Sequence, residues 1–598
     1  MVKIKSKKSN QSFRLIFKYL REFSKFWFEY LSIFVGVTLE ITFIIVPFLD
    51  FISELIMRAT GIPYISYNNF VNLFQNHFIG LVGLVAVLFL LIFLVYFQFI
   101  VQFQGIRLIQ TRTFSMKNLF KESIVSVKRV QVQQLVFFTF YFLLIIPFGR
   151  YVFSTPFLSK VKIPVFTFEF FLKSWQNMLI LFLFYAITFW LSTRLILTLP
   201  LMILKGQSLK LAIKESLRRT KGIKKFLKFS VYFGLVGLFN IIIQGILCLG
   251  GYVLQIYLDK TFFALVGAVS ILGLIWVANM IISTLTLVIL FSYLIREADL
   301  EAFENVETVK KSQKGRIKIK IIYSTLAVIL FASMSWFYVE GFMDNIPLTI
   351  SHRGVDEENG VQNTIPAMQA TAKSKPDYVE IDIQETKDHQ FVVFHDSTLK
   401  DLAGIDTPPQ KLTLAELTNT VVSENGKKAL IPSFDDYLSA AEKVNQKLLV
   451  EIKVSPFDSP KMVENFSVKY GKRLLTDNAM IHSLDYNALL IEQKINPKIK
   501  VSFILPFNLL FPQTKMSAYT METTTLNSSF VDKAQARGQK VFAWTVNDEI
   551  DMREQMFNGV DGIITDNLDT LKEVIAEDNN NPSYAQRILR MASIINFK

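Results

Sequence analysis

The chain has 598 residues, 51% of them hydrophobic and 19% charged, with a formal net charge of +14. A single core does not grow to that length, so several domains are expected. The basic excess lies in residues 1–350, beside the long apolar runs, which points to basic loops between membrane helices and away from a nucleic-acid partner; the one cysteine, Cys248, excludes an intrachain disulfide.

A basic leader over residues 1–27 comes first. Runs of roughly 20 apolar residues, the length that crosses a bilayer core, predict spans near 28–49, 78–101, 132–153, 177–203, 229–254, 262–292 and 320–339. The third is marked by a short uninterrupted apolar core, Leu135 to Phe148. Lys and Arg collect in the leader and in loops 102–131, 204–228 and 293–319, and are sparse in the loops between. That alternation predicts a cytoplasmic N-terminus and an extracellular location for everything after Tyr338. Glu40, Arg194 and Gln244 fall within spans; they pair inside the bundle or mark a polar pathway.

From Leu348 onward, short β-rich runs alternate with helical segments, the pattern of repeated βα units. The expected strands are 348–354, 378–385, 448–454, 479–484, 500–505, 523–529 (TTTLNSS), 540–546 and 562–566. Eight units in about 250 residues predict an α/β (β/α)8 TIM barrel with its active site at the C-terminal strand ends. His352 and Arg353 end the first strand, Glu380 and Asp382 sit in the second, and Glu451 and Lys453 end the third; a hairpin-like TKDHQFVVFHD delivers His395 and Asp396. Glu380 and Asp382 alternate in YVEIDIQ, so both carboxylates leave one face. Two like charges buried together need a cation or strong donors, and a hard divalent metal with oxygen ligands would serve. His389 reads as a turn residue and His482 as a packing or supporting group.

The ordered set HRG (352–354), ExD (380, 382), HD (395, 396), ExK (451, 453), WTVN (544–547) and DGIITD (561–566) resembles the glycerophosphodiester phosphodiesterase family. The stretch RLILTLPLMILKGQSLKLAIKESLRRTKGIKKF also looks like the membrane domain attached to some bacterial members. The resemblance implies a divalent metal, Ca or Mg, on Glu380, Asp382 and Glu451. It implies His352 and His395 as an acid/base pair, with Arg353, Lys453 and Trp544 contacting substrate. The attack implied is by the glycerol hydroxyl next to the phosphate, giving a cyclic phosphate that water opens. One departure stands out: the family usually has ENT where this chain has Gln362-Asn363-Thr364, with EEN at 357–359 as a displaced candidate for the missing charge.

The expected organisation is a leader (1–27), a helical membrane domain of about seven spans (28–340), a phosphodiesterase-like barrel (345–578) and a basic amphipathic tail (579–598) that lies on a membrane or packs on the barrel. The expected activity is hydrolysis of glycerophosphodiesters to glycerol phosphate and an alcohol outside the membrane. The expected partners are such a substrate, soluble or lipid-linked, and membrane lipids, with self-association through the membrane domain left open. Cleavage of lysophospholipids or of teichoic-acid-type glycerophosphate polymers by the same site is the alternative within the enzyme class. A catalytically weak binding or regulatory barrel on a transporter-like bundle is the alternative outside it. The apolar Phe507, Leu509, Leu510 and Phe511 form either a core plug or a lipid-facing lip.

Overall fold

The computed structural model describes residues 3–66, 69–145, 157, 163–172, 174–300, 313–341, 345–580 and 582–596. The chain forms two compact units, one of Met1–Glu340 with Tyr584–Lys598, the other of Gly341–Ser583.

In the first unit, six helices among the described residues are long and apolar enough to cross a membrane: Phe13–Thr60, Phe78–Gln110, Trp175–Lys205, Ile223–Leu258, Ala264–Glu297 and Lys320–Val339. The expected third span is a 14-residue helix, Val132–Ile145. At about 1.5 Å per residue it falls short of a bilayer core of about 30 Å; residues 146–153 of that expected span lie outside the described residues. Aromatic rings pack the bundle, Phe103 stacking on Phe291 at 4.7 Å and Tyr96 meeting Phe138 edge-on at 5.1 Å. The intraspan polar groups separate. Arg194 donates to Thr220 at 3.2 Å and Gln244 to Asn279 at 2.7 Å, while Glu40 is exposed.

The C-terminal segment groups with the helical unit rather than with the barrel. Tyr584–Asn596 is a helix whose stripe of Ala585, Ile588, Met591 and Ala592 is buried within the helical unit. That spacing puts all four on one helix face. Asp259 accepts from the Ala585 amide at 3.0 Å, and the Tyr338 hydroxyl donates to the Arg587 carbonyl at 3.0 Å.

The second unit is a closed parallel barrel of eight strands, numbered here β1 (Leu348–Ser351), β2 (Tyr378–Glu385), β3 (Leu448–Ile452), β4 (Met480–Ser483), β5 (Lys500–Leu505), β6 (Ala518–Glu522), β7 (Lys540–Trp544) and β8 (Gly562–Thr565). Pairing of Ile350 with Tyr378 and Ser351 with Val379 closes it. Seven strands fall where expected, and β6 does not. TTTLNSS is a 3-10 turn at Thr523–Thr525 followed by Asn527, whose side chain accepts from the Phe530 amide and caps the helix Ser528–Gln535. Capping chemistry outweighs the β-branched composition there. The strand is the fully buried AYTME just before it.

Period-2 alternation builds the site on a dry floor. Ile350, Leu449, Met480, Ala518, Phe542 and Ile564 cluster as one buried apolar layer. Two residues further along their strands, Glu451, His482, Thr520 and Trp544 line a pocket of about 100 Å³. The segment after β5 divides: Phe511 is buried against Tyr519 and Phe530, whereas Leu509 is 50% exposed.

Candidate active site

The pocket is lined by His352, Arg353, Glu380, Asp382, His395, Glu451, Lys453 and Trp544, the eight site residues expected from sequence, together with His482 and apolar neighbours. Strand register accounts for much of this. Asp382 pairs with Glu451 across β2–β3, and Glu451 pairs with His482 across β3–β4, so three polar groups stand level on adjacent strands.

The HRG turn is held open by its own bonds. Arg353 lies in the left-handed region at φ +51°, a costly conformation for a residue with a Cβ. Its amide donates to Glu380 at 2.9 Å and its carbonyl accepts from the Asn363 amide at 2.8 Å. Gly354 follows at φ +70°, and a Cβ there would come within 2.7 Å of the Tyr437 hydroxyl. That turn leaves His352 facing Asp566, with 2.8 Å between Nδ1 and the carboxylate. Asn547 of the WTVN run donates to the other Asp566 oxygen at 2.8 Å and accepts from the Asp566 amide at 2.9 Å.

His395 arrives on the expected hairpin. Phe391–Val393 pairs antiparallel with the end of β2, and Gln384 donates to the carbonyls of Phe394 and Asp396 at 2.9 and 3.0 Å. His395 Nδ1 stands 2.7 Å from Asp396. The two imidazoles have opposite electrostatics. Burial and the Arg353 cation press His352 downward, but the charge and hydrogen bond of Asp566, with Glu380 behind it, leave its pKa raised. Burial resists ionisation of Asp566, yet His352 and Asn547 lower its pKa to about 2. His395 is lowered, chiefly by burial; Asp382 and Asp396 oppose the shift, and Lys453 and Arg353 add to it.

Lys453 lies 3.1 Å from both Asp382 and Glu451. Although burial disfavours its charge, those two carboxylates hold its pKa above the ordinary range. Asp382 also accepts from the Asn363 side chain at 2.8 Å. Burial opposes its ionisation, and Lys453, His395 and Arg353 overcome this, placing its pKa well below the usual carboxylate value. Glu451 is raised, by burial first and by Asp382 and Glu380 next. Trp544 anchors through Nε1 to the Thr520 carbonyl at 3.1 Å.

Three features escaped the sequence reading. Asp566 lies in the quoted DGIITD run, but its partner is 214 residues away. His482 stands beside the site carboxylates, as a supporting group would, but the sequence did not show that Glu380, Glu451 and His482 form a buried set able to hold a metal ion. The third concerns Gln362. Its Oε1 accepts from Arg353 at 2.5 Å, and its Nε2 and backbone amide donate to Glu424 at 2.7 and 3.0 Å. Glu424 rides a hairpin of Val421–Glu424 and Lys427–Leu430 turned by Asn425-Gly426, both at positive φ, an NG turn legible in sequence. A carboxylate is therefore present behind Arg353, one residue removed. The EEN at 357–359 is exposed and does not supply it. Gln362→Glu should set two carboxylates against each other and lower kcat/KM about tenfold, while Gln362→Glu with Glu424→Gln should recover most of it. Additive losses in that double-mutant cycle would refute the coupling.

The model of the membrane domain of glycerophosphoryl diester phosphodiesterase matches residues 16–334, more than half of the chain. The model of the glycerophosphoryl diester phosphodiesterase family matches residues 352–570. The chain belongs to the glycerophosphodiester phosphodiesterase family. It is thus a phosphodiesterase, of the bacterial subgroup that joins the catalytic barrel to a membrane domain. Its barrel is 27% identical over 237 residues to the glycerophosphodiester phosphodiesterase of Caldanaerobacter subterraneus, covering 38% of this chain and 97% of that one. It is 25% identical over 270 residues to a lysophospholipase D of Mus musculus, covering 38% of this chain and 85% of the other. A solved glycerophosphodiester phosphodiesterase from Parabacteroides distasonis is 27% identical, with a TM-score of 0.35, covering 39% of this phosphodiesterase and 98% of that chain.

Proposed function

We propose that this phosphodiesterase hydrolyses glycerophosphodiesters to glycerol phosphate and an alcohol, with His352 and His395 as its acid/base pair. The observation that carries the reading is the opposed electrostatics of two imidazoles lining one pocket, each oriented by its own carboxylate. Environments that push two titrating groups apart assign their roles. His352, raised, is the protonated acid for the leaving oxygen; His395, lowered, is the neutral base for the attacking hydroxyl. Arg353 and Lys453 face the pocket as cations for the phosphate, and Trp544 forms a wall for the substrate.

A divalent cation fits this chain, because the buried His482 nitrogens have no hydrogen-bond partner beside the site carboxylates. Glu380, Asp382 and Glu451 would hold it, and when bound it would neutralise charge on the non-bridging phosphate oxygens. The expectation of Ca or Mg follows from carboxylate ligands alone. Purified full-length protein offered glycerophosphocholine, a lysolipid and a polyglycerophosphate, with and without chelator, tests the reading; hydrolysis of none would refute it. Leu509, exposed at the catalytic end of the barrel, favours a lipid-linked substrate as the second reading.

The Lys and Arg alternation supports a cytoplasmic N-terminus and an extracellular barrel. Protease added to intact cells should then cleave the barrel. Full protection would contradict this orientation.

A further inference from the structure

His482 is the buried titratable group that the catalytic steps leave unused. It is 2% exposed, and neither ring nitrogen has a hydrogen-bond partner. Sealing a polar ring from water with both nitrogens unmet is unfavourable, so the site is built for something that meets them. Its Nε2 stands 3.4 Å from Glu380 Oε1, beyond an ordinary hydrogen bond. One ligand atom each from Glu380, Glu451 and His482 lies within 4.8 Å of the others. Two donors that each sit about 2.1 Å from one cation stand about 3 to 3.5 Å apart, the spacing seen between Nε2 and Oε1. The imidazole is a further donor beside the site carboxylates, level with Glu451 on the neighbouring strand.

We propose that His482 is a metal ligand, joining Glu380 and Glu451, and that this mixed nitrogen and oxygen set favours a first-row transition dication such as Mn2+ or Zn2+ over Ca2+. Calcium takes six to eight oxygen ligands, whereas an imidazole nitrogen suits the borderline metals. The inference rests on the metal-dependent reading above and narrows it to a donor set.

The test uses the full-length detergent-purified protein, stripped with chelator and reloaded with Mn2+ alone. Pulsed electron paramagnetic resonance should show coupling to a directly bound nitrogen in the wild type, lost in His482→Gln. Mn2+ affinity should weaken at least about tenfold in that variant, with Ca2+ affinity nearly unchanged. His482→Asn serves as a second variant should His482→Gln fail to fold. Bound Mn2+ without nitrogen coupling in the wild type, or coupling that persists in either variant, overturns His482 ligation and leaves the metal-dependent reading standing. Failure of the wild type to bind Mn2+ or any other divalent cation overturns both.

Discussion

Replacing His352 by alanine should lower kcat/KM by about 10²–10⁴-fold, the range that a positioned general acid contributes. The protein should still fold, because the bonds that hold the HRG turn run through the Arg353 backbone to Glu380 and Asn363 rather than through the imidazole. The pH profile separates a chemical role from a structural one. As the proposed base His395 acts neutral, so activity should rise with pH through a value below about 6.5; as the proposed acid His352 acts protonated, so activity should fall through a value above about 6.5. Asp566→Asn removes the charge that raises His352, and should move the alkaline limb toward lower pH while leaving the acidic limb in place. A profile unchanged by Asp566→Asn would place the acid elsewhere.

Glu380→Ala should be the other severe loss. One Glu380 oxygen holds the Arg353 amide at 2.9 Å and the other faces His482 at 3.4 Å, so the substitution removes a turn anchor and a proposed cation ligand together. Charge stabilisation by a bound metal is worth several kcal/mol, which at about 1.4 kcal/mol per tenfold is roughly 10³-fold or more in rate. Metal content measured by mass spectrometry should fall in parallel with hydrolysis. A variant that keeps both its metal and its turnover would exclude Glu380 from the site.

The parts of this site that were legible in sequence are those governed by local period. ExD and ExK each put two groups on one strand face, and KDHQFVVFHD reads as a hairpin because its apolar run follows a turn; His389, at φ +57° in that turn, is 63% exposed and bonds Glu385. Groups set by tertiary register were harder to see. His482 reaches the site carboxylates only because β4 pairs with β3 at Glu451, and no spacing within the chain encodes that pairing. The Gln362–Glu424 link spans 62 residues and looked from sequence like a lost charge. The sixth strand was misplaced because Thr-rich composition hid an Asn cap. In the helical unit, hydropathy located six long helices, and the described part of the expected third span is the shorter helix Val132–Ile145.

The central claim is that this pocket performs metal-dependent phosphodiester hydrolysis through His352. Phosphorus NMR of glycerophosphocholine incubated with the purified full-length chain tests it most directly. The account predicts the appearance of glycerol phosphate, abolished by chelator, restored by added divalent metal, and reduced at least about 100-fold by His352→Ala. Turnover that persists undiminished in both chelator and His352→Ala would contradict it.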